Sequence, residues 1–278
     1  MVRRNLFESI EREINISEEY KKLCRMIAEE SYDYFTLHDQ IEKHFRDWPN
    51  RRNYTSFKEL REYLGFNFYC SSVNGKLIFL SSVDSTEGFL LFSELVLNVL
   101  DYFYTQFPRT HQATAKHVIE TIVANLEILH HKPYKLNNSK IVCIPIDSAT
   151  ISVAEVINDD LVDPILQYHH HLLKGDIERK KAILIRLHNS LEGSRAKIKE
   201  FNSGLEDDLF YMFNNMNLRH DNTETGKPHY FNPTFSSLNP QQIEDWYDET
   251  YQLCLLAFLA LENYNRHNKI LNLKRKVI

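Results

Sequence analysis

Arginine and histidine stand side by side at Arg219-His220, within Asn214-Asn215-Met216-Asn217-Leu218-Arg219-His220-Asp221-Asn222. A second histidine, His229, follows ten residues after the arginine. A permanent cation beside a group that exchanges a proton near neutral pH suits chemistry on a phosphate. Cleavage of RNA by its own 2′-hydroxyl needs a base for that proton, an acid for the leaving 5′-oxygen and a cation for the charge gathering on the phosphoryl oxygens. One or two histidines with Arg219 could supply these, with Asn222 as a neutral donor. The same residues also suit an exposed polar helix end with no chemistry.

The elements that must position this corner are helices. Five of the nine residues are Asn or Asp, types that do poorly inside helices and hydrogen-bond their own backbone at turns. The stretch therefore reads as the end of one helix and the polar corner before the next. Only 7 glycines occur in 278 residues, far below the usual share of about 7%, as expected of a mostly helical chain. Hydrophobic content of 43% and charged content of 26% are those of a globular protein of one large or two ordinary domains. A net charge of −5 gives no global pull toward nucleic acid, so such contact needs a local basic patch. Cys24, Cys70, Cys143 and Cys254 are far apart among apolar neighbours, the usage of a reducing cytosol. The N-terminus lacks an apolar signal core, and the longest apolar run, Leu253 to Leu261, is about half a membrane span. The expectation is a cytoplasmic protein without a membrane segment.

Residues 1–149 read as a helical domain with a small sheet. Ser17, Thr36 with Asp39, Ser56 with Glu59, and Asp84 with Glu87 mark helix starts. Gly65 marks a helix end. Phe66–Cys70 and Leu77–Leu80 flank Asn74-Gly75, a strong hairpin signal. Helices are expected from there to about Phe107 and from Thr110 to about His131, then a strand at Lys140–Ile146. Arg46, Arg51 and Arg52 lie among Phe45, Trp48 and Tyr54. Interleaved cations and aromatics can bind single-stranded nucleic acid by charge and stacking; they equally make a loop whose aromatics plug the core.

Residues 150–278 read as an all-helical bundle. Apolar residues recur at helical spacing from about Ser152 to Leu173, from Asp176 through Ile198, and from about Leu205 to Met216. A fourth helix opens with Asn239, Pro240 and Gln242 and is expected to run to about Tyr264. Its apolar Leu253–Leu261 is either buried on all sides or pairs with another subunit. The link from Leu218 to Leu238 is long for a bundle. The histidines do not form a zinc pattern: His169-His170-His171 on a helix would point about 100° apart. No metal and no cofactor are assigned.

The C-terminal half resembles the HEPN superfamily, helical bundles common in prokaryotic toxins and anti-phage abortive-infection proteins. Three stretches carry the resemblance: Asp163-Pro164-Ile165-Leu166-Gln167-Tyr168-His169, Lys174-Gly175-Asp176-Ile177-Glu178-Arg179-Lys180-Lys181 and Asn217-Leu218-Arg219-His220-Asp221-Asn222. It covers about residues 150–270, and only the Arg219 corner is a family motif. Many active members are metal-independent ribonucleases that work as dimers. Their motif is an arginine, a polar residue and a histidine four to six positions beyond the arginine. Arg219 fits the arginine and His220 the polar residue, but Thr223 to Gly226 hold no histidine. The resemblance implies an endoribonuclease-type effector acting through Arg219 and His220 or His229, dimeric through the C-terminal bundle. The alternative is a non-catalytic helical module binding RNA or protein, with Arg46, Arg51 and Arg52 as a basic surface and Arg219 held in a salt bridge.

Overall fold

The computed structural model describes residues 14–28, 35–70, 77–80, 82–222 and 231–276. The chain is mainly helical and divides into two compact units, residues 1–145 and 146–278.

The first unit contains α1 (Ile16–Ala28), α2 (Leu37–His44), α3 (Phe57–Tyr63), β1 (Phe68–Cys70), β2 (Leu77–Phe79), α4 (Thr86–Phe103), α5 (Arg109–Ile128), β3 (His131–Lys135) and β4 (Ile141–Pro145). Its helices begin where side chains satisfy the orphan amides. Thr36 and Asp39 form a reciprocal capping box. Ser56 caps α3 and Ser85, one residue after the expected Asp84, caps α4. α1 is capped by Asn15, whose Oδ1 accepts the Glu18 amide, rather than by Ser17. Strands β1 and β2 pair antiparallel with Phe68 opposite Phe79; the Asn74-Gly75 turn lies outside the described residues. Buried Arg61 fixes this hairpin by donating to the carbonyls of Phe66 and Phe68 (2.9 Å for the latter), with its guanidinium 3.8 Å above the Phe68 ring.

The core of this unit is α4, which buries Phe89, Phe92, Val96, Val99, Leu100 and Phe103. The expected strand at 140–146 is β4, and it has a partner that the sequence reading placed partly in a helix. α5 ends at Ile128, His130 takes φ 55°, and β3 follows. Pro133 forbids a helix interior there and its missing N–H suits a two-stranded edge. Asn98 clamps β4 by bonding both the N–H (2.8 Å) and the carbonyl (2.6 Å) of Ile141. Glu94 accepts the Cys143 amide at 2.8 Å.

The second unit is all-helical among the described residues: α6 (Ser148–Ala154), α7 (Asp159–Gln167), α8 (Ile177–Glu192), α9 (Arg195–Phe201), α10 (Ser203–Asn215), α11 (Pro233–Ser236) and α12 (Pro240–Arg275). The helix expected across 152–173 is two, because Asn158, at the start of α7, is extended (ψ 143°) and interrupts the helical backbone. The helix expected from Asp176 through Ile198 breaks at Gly193-Ser194 into α8 and α9. The three consecutive histidines do not share one α-helix: His169 and His170 lie in the turn after α7 and His171 opens a short 3-10 helix, His171–Leu173, with His170 buried, His171 half-buried and His169 exposed. α12 has the expected Asn239–Gln242 capping box and Pro240, but runs on past Tyr264. Its 36 residues span about 54 Å at 1.5 Å per residue.

Leu184, Leu187 and Leu191 of α8 meet Leu209, Phe210 and Phe213 of α10 and Tyr247, Tyr251, Cys254 and Phe258 of α12 in one core. The apolar run on α12 serves this core: Cys254, Leu255, Ala257, Phe258 and Ala260 are buried, and Leu256 points outward, 54% exposed. Lys180 is buried, with its ammonium 2.7 Å from both Glu244 and Asp248, tying α8 to α12. Glu244 also accepts the Gly175 amide at 2.8 Å. Burial works against the Glu244 charge, but the Gly175 amide and the Lys180 ammonium outweigh it and hold its pKa below the ordinary 4.5. No helix among the described residues is long and apolar enough to cross a membrane.

Removing one member of a buried ion pair strands the other. Lys180→Ala is expected to destabilise the protein by about 3–5 kcal/mol, read as a lowered midpoint in urea. The Glu244 contribution is present above pH 4.5 and lost as pH falls through the lower folded pKa. Urea midpoints of the wild type should therefore drop more steeply in acid than those of Glu244→Gln.

Candidate functional site

The corner after α10 is built by asparagines. Met216 ends the helix and Asn217 takes φ 56°, the left-handed conformation that Asn tolerates better than other residues with a Cβ. Reversal there turns the chain so that the Arg219 amide donates to the Phe213 carbonyl at 2.9 Å. Asn222 reaches back across the turn. Its Oδ1 accepts the Asn217 amide at 2.7 Å and its Nδ2 donates to the Asn214 carbonyl at 3.0 Å. The Asn217 amide group, with its oxygen toward Lys181 Nζ (2.9 Å) and its nitrogen toward the His220 carbonyl (3.2 Å), joins the corner to α8. The chain leaves at Asn222 and is back at Asn232, whose amide donates to the Asn222 carbonyl at 2.9 Å.

This corner sets Arg219 against the last turns of α8. The guanidinium Nη2 lies 2.8 Å from Glu192 Oε1, with the two side chains 35% and 43% exposed. One turn back on α8, His188 is buried and places Nε2 3.9 Å from the other Glu192 oxygen. Its ring meets Phe213 edge-on at 4.6 Å, and its Nδ1 is 3.2 Å from Asn189 Oδ1. Burial is the main cause that lowers the His188 pKa. Asn189 and Glu192 oppose it, and the charges of Arg219 and His220 act in the same sense as burial. His188 is therefore neutral at pH 7. His220 is half-buried beside this group.

The structure thus gathers Arg219, His220, Glu192 and His188 at one half-exposed corner. Glu192 and His188 were missed in the sequence, although their i,i+4 spacing on α8 puts them on one face. Asn222, expected to donate to a phosphate, is 2% exposed and spends both ends of its amide on the backbone. His229 lies outside the described residues.

Arg46, Arg51 and Arg52 belong to the first unit and do not form a stacking platform. Arg51 turns inward, donating to the carbonyls of Arg46 (2.8 Å), Arg52 (3.2 Å) and Tyr54 (3.2 Å). Phe45 and Trp48 are buried in the core, while Arg46 and Arg52 remain exposed. The core-plugging alternative describes the aromatics.

The sequence matches no family model, no curated protein and no solved structure. The Arg219–Glu192 pair is half-exposed, and such a pair contributes about 0–1 kcal/mol. An incoming phosphate, carrying more charge than a carboxylate and matched to the guanidinium fork, can displace Glu192 at small cost. Glu192 then stands as a carboxylate beside the Arg219 position that the ligand takes.

Asn222→Ala leaves the half-buried Asn217 amide and Asn214 carbonyl without their partner. The expected loss is about 1–3 kcal/mol, seen as a lower melting temperature. A purely phosphate-binding Asn222 would leave melting unchanged.

Proposed function

We propose that the second unit works as a metal-independent endoribonuclease-type effector of a prokaryotic anti-phage or toxin system in the cytoplasm. The observation that carries this reading is the placement of Arg219, His220 and Glu192 at one half-exposed corner, together with the resemblance of that corner to the HEPN motif. Arg219 is the cation for the developing phosphoryl charge. Glu192 or a histidine takes the 2′-hydroxyl proton, and a histidine protonates the leaving oxygen. His220 is one histidine of this set. His229, three residues before Asn232 in the chain, is carried by the resemblance alone. The family habit adds a homodimer through the C-terminal bundle, with outward-pointing Leu256 on its surface.

One observation favours a second reading. Arg219 is paired with Glu192 at 2.8 Å and His188 beneath it is buried. This is the arrangement expected of a non-catalytic RNA- or protein-binding module in which the corner is structural.

An RNA pool incubated with wild type, Arg219→Ala, Glu192→Gln, His220→Ala and His229→Ala separates the two. Under the nuclease reading Arg219→Ala loses at least a hundredfold in rate, about 2.7 kcal/mol of barrier, and stays folded. Cleavage survives EDTA and requires a ribose 2′-hydroxyl. Loss in His220→Ala or in His229→Ala identifies the working histidine. Wild type that cuts nothing, or Arg219→Ala that cuts normally, leaves the binding module. Light scattering of the wild type tests the dimer.

A further inference from the structure

The local basic patch that a net-acidic chain needs for nucleic acid is at the far end of α12. Every residue from Asn265 to Arg275 is exposed on this helix, and Lys276 follows it. Residues 263–276 hold five cations (Arg266, Lys269, Lys274, Arg275, Lys276), four asparagines (Asn263, Asn265, Asn268, Asn272) and no acid, in a chain of net charge −5. Arg266 touches Glu262 one turn back at 3.3 Å and is still 67% exposed. Lys269, Lys274, Arg275 and Lys276 have no ion-pair partner among the described residues.

Composition and placement select the occupant. Asparagine is a poor helix former, so four of them in these turns weaken the helix while presenting amides to the outside. Lys, Arg and Asn are side chains that hold phosphate oxygens. At 100° per residue the five cations fall on every side of the helix. Ile270 and Leu273, at 45% and 62% exposure, lie 100° or more around from Leu271. A helix that lies in a lipid surface gathers its apolar residues on one face, and this one does not. Two copies of the segment laid together would bring like charges into contact. A flexible polyanion that wraps a helix on all sides fits.

We infer that residues 263–276 are a phosphate-binding arm for single-stranded RNA. The inference shares its ligand with the proposed function but concerns capture, not cleavage. The arm holds the RNA backbone without reading bases, and its affinity is electrostatic.

The test is fluorescence anisotropy of a labelled oligouridine with the full chain and with a variant carrying Arg266→Gln, Lys269→Gln, Lys274→Gln and Arg275→Gln. Circular dichroism checks that the variant keeps its helix. Affinity should fall at least about tenfold, and the slope of log affinity against log salt should flatten by about 3, since each phosphate contact on a single strand contributes about 0.7. Lys269→Arg with Lys274→Arg should bind as wild type, and so should Ile270→Ser with Leu273→Ser. Unchanged affinity in the four-Gln variant overturns the arm, as does a wild type that binds no RNA. Loss confined to the Ile270/Leu273 variant also overturns it; co-sedimentation with phosphatidylserine vesicles and light scattering then assign the segment to lipid or to a second copy. Wild type that binds RNA through the arm but does not cut it removes the nuclease reading and leaves the inference standing. Four-Gln protein that still cuts at wild-type rate on dilute RNA does the reverse.

Discussion

Lys180 lies between Glu244 and Asp248, 2.7 Å from each, with almost none of its side chain in water. A buried ammonium must be paired, because desolvating a lone charge costs several kcal/mol. The requirement ties α8 to the face of α12 on which Glu244 and Asp248 stand one turn apart. α8 in turn carries Leu184, Leu187 and Leu191 into the core and His188 and Glu192 to the corner opposite Arg219. One charge-pairing constraint at the start of α8 and a leucine stripe along it therefore decide where its polar end stands.

Met216 and Leu218 root the corner in the core shared with α8, and asparagine side chains shape the turn around them. Asn217, Asn222 and Asn232 exchange hydrogen bonds with the backbone at Asn214, Asn215 and His220. Such a clamp holds a short turn in one shape without a hydrophobic core beneath every residue. It leaves the guanidinium of Arg219 half-exposed and opposed by the Glu192 carboxylate. A half-exposed pair of this kind orients the arginine yet is worth only about 0–1 kcal/mol.

Basic residues illustrate why composition is a poor guide to surface. Arg46, Arg51 and Arg52 with Phe45 and Trp48 have the makeup of a nucleic-acid loop, yet Arg51 is consumed by three carbonyls and both aromatics are buried. A guanidinium carries five donors, and a tight loop has unsatisfied carbonyls nearby. The end of α12 has plainer chemistry and no aromatic platform, but extends as exposed helix with its cations outward.

Much of the fold was legible in the sequence because it is local. The Thr36–Asp39 and Asn239–Gln242 boxes, the Pro240 start, the paired strands around residue 74 and the leucine stripe of α8 are set by residues within a few positions of one another. So was the Asn-rich end of α10, where side chains compete with helical hydrogen bonds. Elements with weak local signals were not legible. β3 hides behind Pro133, and α12 continues through polar residues without an apolar period. The site divides in the same way. Adjacency of Arg219 and His220 is a property of the chain. The meeting of Arg219 with Glu192, twenty-seven residues earlier, is not, because it depends on two helix ends being brought together by a core and a buried ion pair. The burial of Asn222 belongs to the same class: whether a polar side chain faces solvent or its own backbone is decided only when the turn closes around it.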